Sequence, residues 1–264
     1  MDPAHEHFQA GRLAQAVETV TAEVRLRPTD VDRRGLLAEF LCFAGEFERA
    51  DRQLDLIADQ DPRAALGAAL FRQLIRGAQA RAQVFAEGRV PEFLDPPAPH
   101  LQLLLDAGIA LRDGRTEAAG HLTAKAETLR PQCAGRLNDA DVDDLRDVDD
   151  LVAPVFEVLT STGKYYWIPR ERVASIEFHA PVRPRDLLWR RVTMEVADGP
   201  DGEVYVPAIY PTTADDDLAR LGRVTDWRGG GATPALGVGQ HCWLAGDEAV
   251  PILQVHRFEA RAVA

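Results

Sequence analysis

The sequence predicts an α+β fold, because its first half has the periodicity of helices and its second half the periodicity of strands. Apolar residues in the first half recur at steps of three and four, which places them on one face of a helix. In the second half, short runs of β-branched and aromatic residues are separated by turn-forming residues, as in strands. We therefore expect an all-α array of helical hairpins followed by a small, mostly β domain.

The helical half contains a Gly-to-Pro unit that occurs three times, at residues 11–28, 45–62 and 114–131. In each copy the proline lies 17 residues after the glycine, and the first two copies are 34 residues apart. An alanine follows each glycine by five residues: Ala16, Ala50 and Ala119. A 34-residue period with these positions is typical of tetratricopeptide (TPR) repeats, in which each unit is a pair of helices. The array is therefore predicted to be TPR-like.

The elements of this half follow from the repeat and from the apolar steps. Glycine permits the turn between two helices, and proline cannot continue the second one. The segment 63–87 keeps a four-residue apolar spacing without a central turn, so we expect one longer helix or a degenerate unit. A proline-dense stretch, 88–99, is predicted to be a loop. The expected hairpins are 3–10 with 12–27, the pair within the second unit, and 100–112 with 115–130.

We divide the chain into a helical domain at 1–135, an acidic linker at 136–152 and a β-rich domain at 153–264. The linker prediction rests on a change in composition, since residues 139–150 contain seven aspartates. Two strand-like runs at 155–160 and 165–168 flank a turn sequence and predict a β-hairpin. Further strands are expected at 173–178, 191–196, 204–206 and 252–258, and a short helix capped by Thr213 is expected before residue 222.

Composition restricts the class of partner. The formal net charge is −12 and the isoelectric point is about 5.0, whereas nucleic acid and anionic membrane surfaces favour basic proteins. The first residues show no secretory signal, and no apolar run approaches the roughly 20 residues of a membrane span. Three widely spaced cysteines are typical of reduced thiols. These features favour a cytoplasmic protein that binds another protein.

Five ordered stretches of the second half resemble a known family. They read RDVDDLVAPVFEV at 146–158, GKYYWIP at 163–169, RDLLW at 185–189, VPAIYP at 206–211 and GRVTDW at 222–227. Together with the helical repeats before them, these stretches resemble the ImpE/TagJ family of type VI secretion accessory proteins. The resemblance covers essentially the whole chain.

This resemblance implies a non-enzymatic adaptor without a cofactor. Such proteins bind the N-terminal helix of the small contractile-sheath subunit (TssB-like), and they are linked to sheath assembly or to its disassembly by the AAA+ ATPase ClpV. The alternative is a TPR scaffold for another protein of the same machine, such as the ATPase or a regulator. An enzyme in the β domain is a third hypothesis, but no nucleophile or acid–base constellation in the sequence supports it.

Two motifs resemble functional sites, one a calcium-binding loop and the other a catalytic pair, and each also has a structural explanation. Five aspartates fall at calcium-loop positions, but the sixth position is Asp144 instead of glycine and the twelfth is Asp150 instead of glutamate. His241 and Cys242 are adjacent, and adjacent side chains in a strand point to opposite faces, so they are poorly placed as a catalytic pair. A solvated acidic linker and a core cysteine are therefore expected, and no metal site is predicted.

The candidate partner-binding residues are Arg72, Arg76, Trp167 and Trp189. The two arginines lie one helical turn apart and are either a solvated face or a charged rim for an acidic peptide. The tryptophans belong either to the β core or to an exposed patch, since tryptophan is enriched at binding hot spots.

Overall fold

The computed structural model describes residues 2–211 and 216–261. Seven helices form the first half of the described chain; short connections join them, except that a longer loop at residues 88–98 joins the fifth helix to the sixth. Their bounds are α1 Pro3–Gln9, α2 Leu13–Leu26, α3 Val31–Phe43, α4 Phe47–Gln60, α5 Ala65–Glu87, α6 Pro99–Arg112 and α7 Thr116–Leu129. An array of helical hairpins followed by antiparallel sheets confirms the predicted α+β class.

The repeat positions have the roles that the sequence predicts. Gly11, Gly45 and Gly114 adopt φ angles of 77°, 76° and 75°, which a residue with a Cβ atom would find unfavourable. The alanine five residues further on is completely buried in each unit, where two helices meet. Each turn glycine thus lies between the paired helices of its unit.

Helix α5 is continuous over 23 residues, which confirms the longer helix expected at 63–87. It packs across the hairpin formed by strands β4 (Val155–Leu159) and β5 (Tyr165–Pro169). At Gly77 an added Cβ would come within 3.2 Å of Leu159 and 3.3 Å of the Lys164 carbonyl oxygen. The absence of a side chain there allows the helix to lie directly on the sheet.

The second half contains antiparallel strands in three sheets. The remaining strands are β1 Gly135–Leu137, β2 Ala140–Val142, β3 Leu145–Asp147, β6 Val173–Phe178, β7 Trp189–Val196, β8 Asp201–Pro207, β9 Thr225–Gly230, β10 Thr233–Gly239, β11 Cys242–Ala245, β12 Glu248–Pro251 and β13 Arg257–Ala260. The largest sheet has the order β2-β1-β13-β6-β7-β8-β4-β5, and the smaller ones are β10-β9 and β12-β11-β3. A short helix, α8, spans Asp217–Arg220.

The segment 136–152, which we predicted to be an acidic linker, contains residues of three short strands. Strand β1 pairs with β13 and β2, and β3 pairs with β11, so this segment belongs to two of the sheets. Its apolar residues Leu137, Val142 and Leu145 are buried, while the charged residues between them are largely exposed or paired. Each of these strands has only three residues, so the alternation of apolar and polar residues could not be recognised among the aspartates. Where the domains divide remains a prediction.

The predicted hairpin at 155–168 and the strands at 173–178, 191–196 and 204–206 are confirmed. The final strand is shorter than expected, because residues Ile252–Gln254 form a 3₁₀ turn and pairing begins at Arg257. The helix expected before residue 222 is present as α8 with Asp216 as its N-cap. The predicted cap, Thr213, lies outside the described residues. Strands β9–β12 were not predicted.

One hydrophobic cluster joins the helices to the sheet, and a second large cluster lies within the β half. A continuous cluster includes Leu37, Phe71 and Leu74 from the helices together with Trp167 and Trp189 from the strands. The first hairpin is also tied to the second half, because the Arg223 guanidinium donates hydrogen bonds to the carbonyl oxygens at the end of α1. None of the helices in the described ranges is both long and apolar enough to cross a membrane.

Candidate functional site

A groove of about 750 Å³ lies between the helical array and a loop of the β half. Helices α3, α4 and α5 form its apolar floor, to which Leu36, Ile57 and Phe71 contribute. A wall is formed by the connection between β6 and β7, which includes a 3₁₀ turn at Pro184–Leu187. The groove is therefore built from both halves of the chain.

Charged side chains meet at this wall. Arg183 and Arg185 point toward Glu39 of α3, with nitrogen-to-oxygen distances of 3.8 Å and 4.0 Å. The Arg185 guanidinium also stacks over the Phe71 ring, at 4.7 Å from the ring centroid, a cation–π contact that orients it. Asp186 accepts hydrogen bonds from the backbone N–H groups of Val182 and Arg183, which fixes the shape of the turn.

Glu39 is a buried carboxyl group at the edge of an apolar floor. Burial raises its pKa to about 7, against the opposing charges of Arg185 and Arg183. The two ion pairs are longer than hydrogen bonds, so they compensate only part of the cost of removing the carboxylate from water. Glu39 is therefore poised to change its protonation state when the charges of the groove change.

Exposed apolar side chains border the groove. Leu26, Leu66 and Val182 are 82%, 84% and 87% exposed and are the most exposed large hydrophobic residues of the described chain. Each is next in sequence to a residue that lines the groove. Single exposed apolar residues are normal, but their grouping around one depression is typical of an interaction site.

The predicted arginines lie outside this groove. Arg72 bonds to two carboxylates of α4, with its Nε 2.8 Å from Asp51 and its Nη1 2.5 Å from Asp55. Arg76 is exposed, and its Nη1 donates a hydrogen bond of 3.4 Å to the side-chain oxygen of Gln73 on the same helix. Arg72 therefore joins two helices of the array, and the role of Arg76 in partner binding stays a prediction.

Trp167 and Trp189 are only 2% and 3% exposed. Trp189 packs edge-on against Phe71 of α5, and Trp167 packs edge-on against Phe93. Both tryptophans thus lie in the core between the helices and the sheet, which is the structural alternative that the sequence left open. Their side chains are not available to a partner in this conformation.

A network of buried polar groups lies beneath α5. Arg81 of α5 forms two hydrogen bonds to the Glu157 carboxylate, at 2.7 Å and 2.8 Å. His241 bridges Glu157 and Asp147, with ring nitrogens 3.3 Å and 2.9 Å from their carboxylate oxygens. The imidazole is thereby engaged by carboxylates, and burial raises the pKa of the neighbouring Cys242 thiol. This arrangement joins helix to sheet and offers no activated thiol.

The acidic run has structural contacts of its own. Asp144 pairs with Arg130 at the end of α7. Asp149 accepts hydrogen bonds from the backbone N–H groups of Leu151 and Gly237, and Asp150 accepts one from Ala235. The hydrogen bonds to Asp149 and Asp150 hold strand β10 against the segment that follows β3. No cluster of metal-ligating residues occurs in the described ranges.

Known proteins resemble this chain along nearly its full length. A family model described as "ImpE protein" matches residues 139–259. The type VI secretion system accessory component TagJ of Pseudomonas aeruginosa is 33% identical over 260 residues, which cover 97% of this chain and 91% of TagJ. The chain belongs to the ImpE family. The crystal structure of protein VPA1032 from Vibrio parahaemolyticus superposes on this ImpE-family fold with a TM-score of 0.93 and 27% identity, covering 99% of this chain and 98% of that one.

Sequence reasoning missed Glu39, Arg183 and Arg185. A signal existed for Glu39, because it is the one charged residue in the apolar run from Leu36 to Phe43 of α3. No comparable signal marked the arginines, since they belong to a loop that the fold brings to α3 from more than 140 residues away.

Proposed function

We propose that this chain is a cytoplasmic, non-enzymatic adaptor of a type VI secretion system, which takes an amphipathic helix of the small contractile-sheath subunit (TssB-like) into the groove. The observation that carries the proposal is the groove itself, with its apolar floor, charged wall and exposed apolar rim. Membership of the ImpE family and the similarity to TagJ support the choice of machine.

The groove has the right size for part of a helix. A helix about 10 Å across occupies roughly 420 Å³ per turn of 5.4 Å. The groove volume of about 750 Å³ therefore matches slightly under two turns. Two turns present apolar anchors at positions i, i+3, i+4 and i+7, which is the pattern of helix-in-groove recognition.

The expected affinity is modest. Each buried leucine or isoleucine contributes about 2–3 kcal/mol, so three anchors give roughly 6–9 kcal/mol. Lost translational and rotational freedom costs at least about 4 kcal/mol. One charged hydrogen bond adds about 1.5–3 kcal/mol, which places the dissociation constant of an isolated helix between about 1 mM and 1 µM. A sheath presents many copies, and multivalent binding would raise retention by roughly 10²–10⁴-fold.

Calorimetric titration of the full chain with a peptide of the sheath subunit's N-terminal helix tests this proposal. The matched variants are Gly67→Trp, which fills the groove, and Gln15→Trp, on an exposed position of α2 outside it. Gly67 suits this purpose because a Cβ there meets no atom within 4 Å. We expect Gly67→Trp to abolish binding and Gln15→Trp to leave it unchanged. Equal binding by all three proteins would refute the groove as the site.

A further inference from the structure

We infer that Arg183 and Arg185 receive a carboxylate of the incoming helix, which takes the place of Glu39 beside them. This inference rests on the proposed function and adds the chemistry of recognition to it. The partner helix would present an aspartate or glutamate next to its apolar anchors. Glu39 would be the internal anion that occupies the arginine pair before the partner arrives.

The first observation is the unused hydrogen-bonding capacity of the two guanidinium groups. Each guanidinium has five N–H donors in a planar fork that suits a carboxylate. Within the described residues, the ion pairs with Glu39 are at 3.8 Å and 4.0 Å, beyond hydrogen-bond distance. Arg183 is also 63% exposed at its side chain, so a partner can reach it. A carboxylate from outside would make shorter contacts than Glu39 does.

The second observation is the distribution of charge. The chain as a whole carries a formal charge of −12, yet the groove lining includes five arginines against four carboxyl groups. Arg27, Arg33 and Arg63 each have a carboxylate within 3.6 Å. Arg183 and Arg185 are therefore the lining arginines with the weakest internal compensation. An acidic residue of the partner is attracted to this point of an otherwise acidic protein.

The third observation is the environment of Glu39. Besides the two arginines, Asp186 of the 3₁₀ turn acts on its charge. The Cys42 thiol on its own helix has a pKa raised by burial and by Glu39, and Phe71 presents an apolar ring to Arg185. Burial raises the pKa of Glu39 to about 7. A second carboxylate at the arginines would disfavour the charged form further. Glu39 would then take up a proton as the partner binds.

Calorimetry tests both parts of the inference. The sheath-helix peptide and variants in which each acidic residue is replaced by its amide are titrated at pH 7, in buffers of different ionisation enthalpy. We expect one amide replacement to weaken binding about tenfold, because it removes a charge-assisted hydrogen bond. We also expect proton uptake on binding by the native chain, and none by Glu39→Gln.

Arg183→Gln and Arg63→Gln form a matched pair of exposed groove arginines. Arg183→Gln should weaken the native peptide about tenfold and reduce the effect of the critical amide replacement, because only Arg185 then remains to bind the carboxylate, whereas Arg63→Gln should do neither. If the peptide binds but every amide variant binds equally and no proton is taken up, the inference is overturned and the proposed function stands. If the native peptide does not bind at all, the proposed function fails, and the inference fails with it.

Discussion

Replacing Glu157 by glutamine should destabilise the whole chain by about 3–5 kcal/mol. The carboxylate accepts two hydrogen bonds from Arg81 of α5 and one from the Tyr165 hydroxyl, and it lies 3.3 Å from His241. Glutamine would direct an N–H₂ donor at these donors and leave the Arg81 charge unpaired and buried. Removing one member of a buried ion pair has this cost because the other charge loses its compensation.

Equilibrium unfolding in urea measures the effect. The matched control is Glu203→Gln, since the Arg191–Glu203 pair at 3.2 Å is about half exposed and such surface pairs contribute at most about 1 kcal/mol. If Glu157→Gln lowers the free energy of unfolding as little as the control does, the conclusion that the network around Glu157 holds α5 on the sheet is refuted. A single transition is expected for all variants, because one hydrophobic cluster contains residues of both the helices and the sheet.

The pH dependence gives an independent check. Burial by itself raises the pKa of Glu157, but the charge of Arg81 and the hydrogen bonds from Arg81 and His241 outweigh burial and hold the pKa far below its usual range. A lowered folded-state pKa contributes stability above the unfolded value of about 4.3, and this contribution is lost as the pH falls below it. The difference between the native chain and Glu157→Gln should therefore shrink below about pH 4.

Further variants probe three other sites. Gly120→Ala should lower the free energy of unfolding, measured in urea, by about 1–3 kcal/mol, because an added Cβ would lie 2.2 Å from the Ala232 carbonyl oxygen. The control Gly35→Ala has open space around its Cβ and should raise that free energy by up to about 1 kcal/mol. Arg223→Ala should speed hydrogen exchange in α1, whose last carbonyls it bonds, whereas Arg228→Ala should not. Burial and the neighbouring Asp147 raise the pKa of Asp149 to about 7, so folding stability should fall as the pH rises from about 4 to 7, and Asp149→Asn should reduce that decline.

The helices were predictable because local rules determine them. The three glycine turns, the buried alanines and the apolar steps are all visible within one unit. The short strands β1–β3 escaped prediction because a three-residue strand shows at most one alternation, and β9 and β10 contain four glycines that give no apolar pattern. Strands β1 and β3 also pair with partners far away in the chain, β13 and β11.

The candidate site was less predictable than the fold. Tryptophan is a residue type that is common at binding sites, but Trp167 and Trp189 lie where the helices and the sheet come together. Only the packing of the two halves shows that they are buried there. Arg72 looks free on a helical wheel, yet the next helix supplies two carboxylates. A sequence shows which residue types can bind another protein, but only the fold shows which of these side chains already have contacts within the chain.

The same packing explains how a shallow groove can be selective. Its floor belongs to the helices and its wall to a loop between two strands, so its shape depends on the fit of one half on the other. Arg185 lies over Phe71, and Phe71 packs on Trp189 in the shared core, which connects the surface arginine to the buried junction. Since buried aromatic pairs add about 0.5–1.5 kcal/mol beyond their area, this wall is held by packing as well as by charge. The Arg185 guanidinium is therefore held in a fixed position at the wall of the groove.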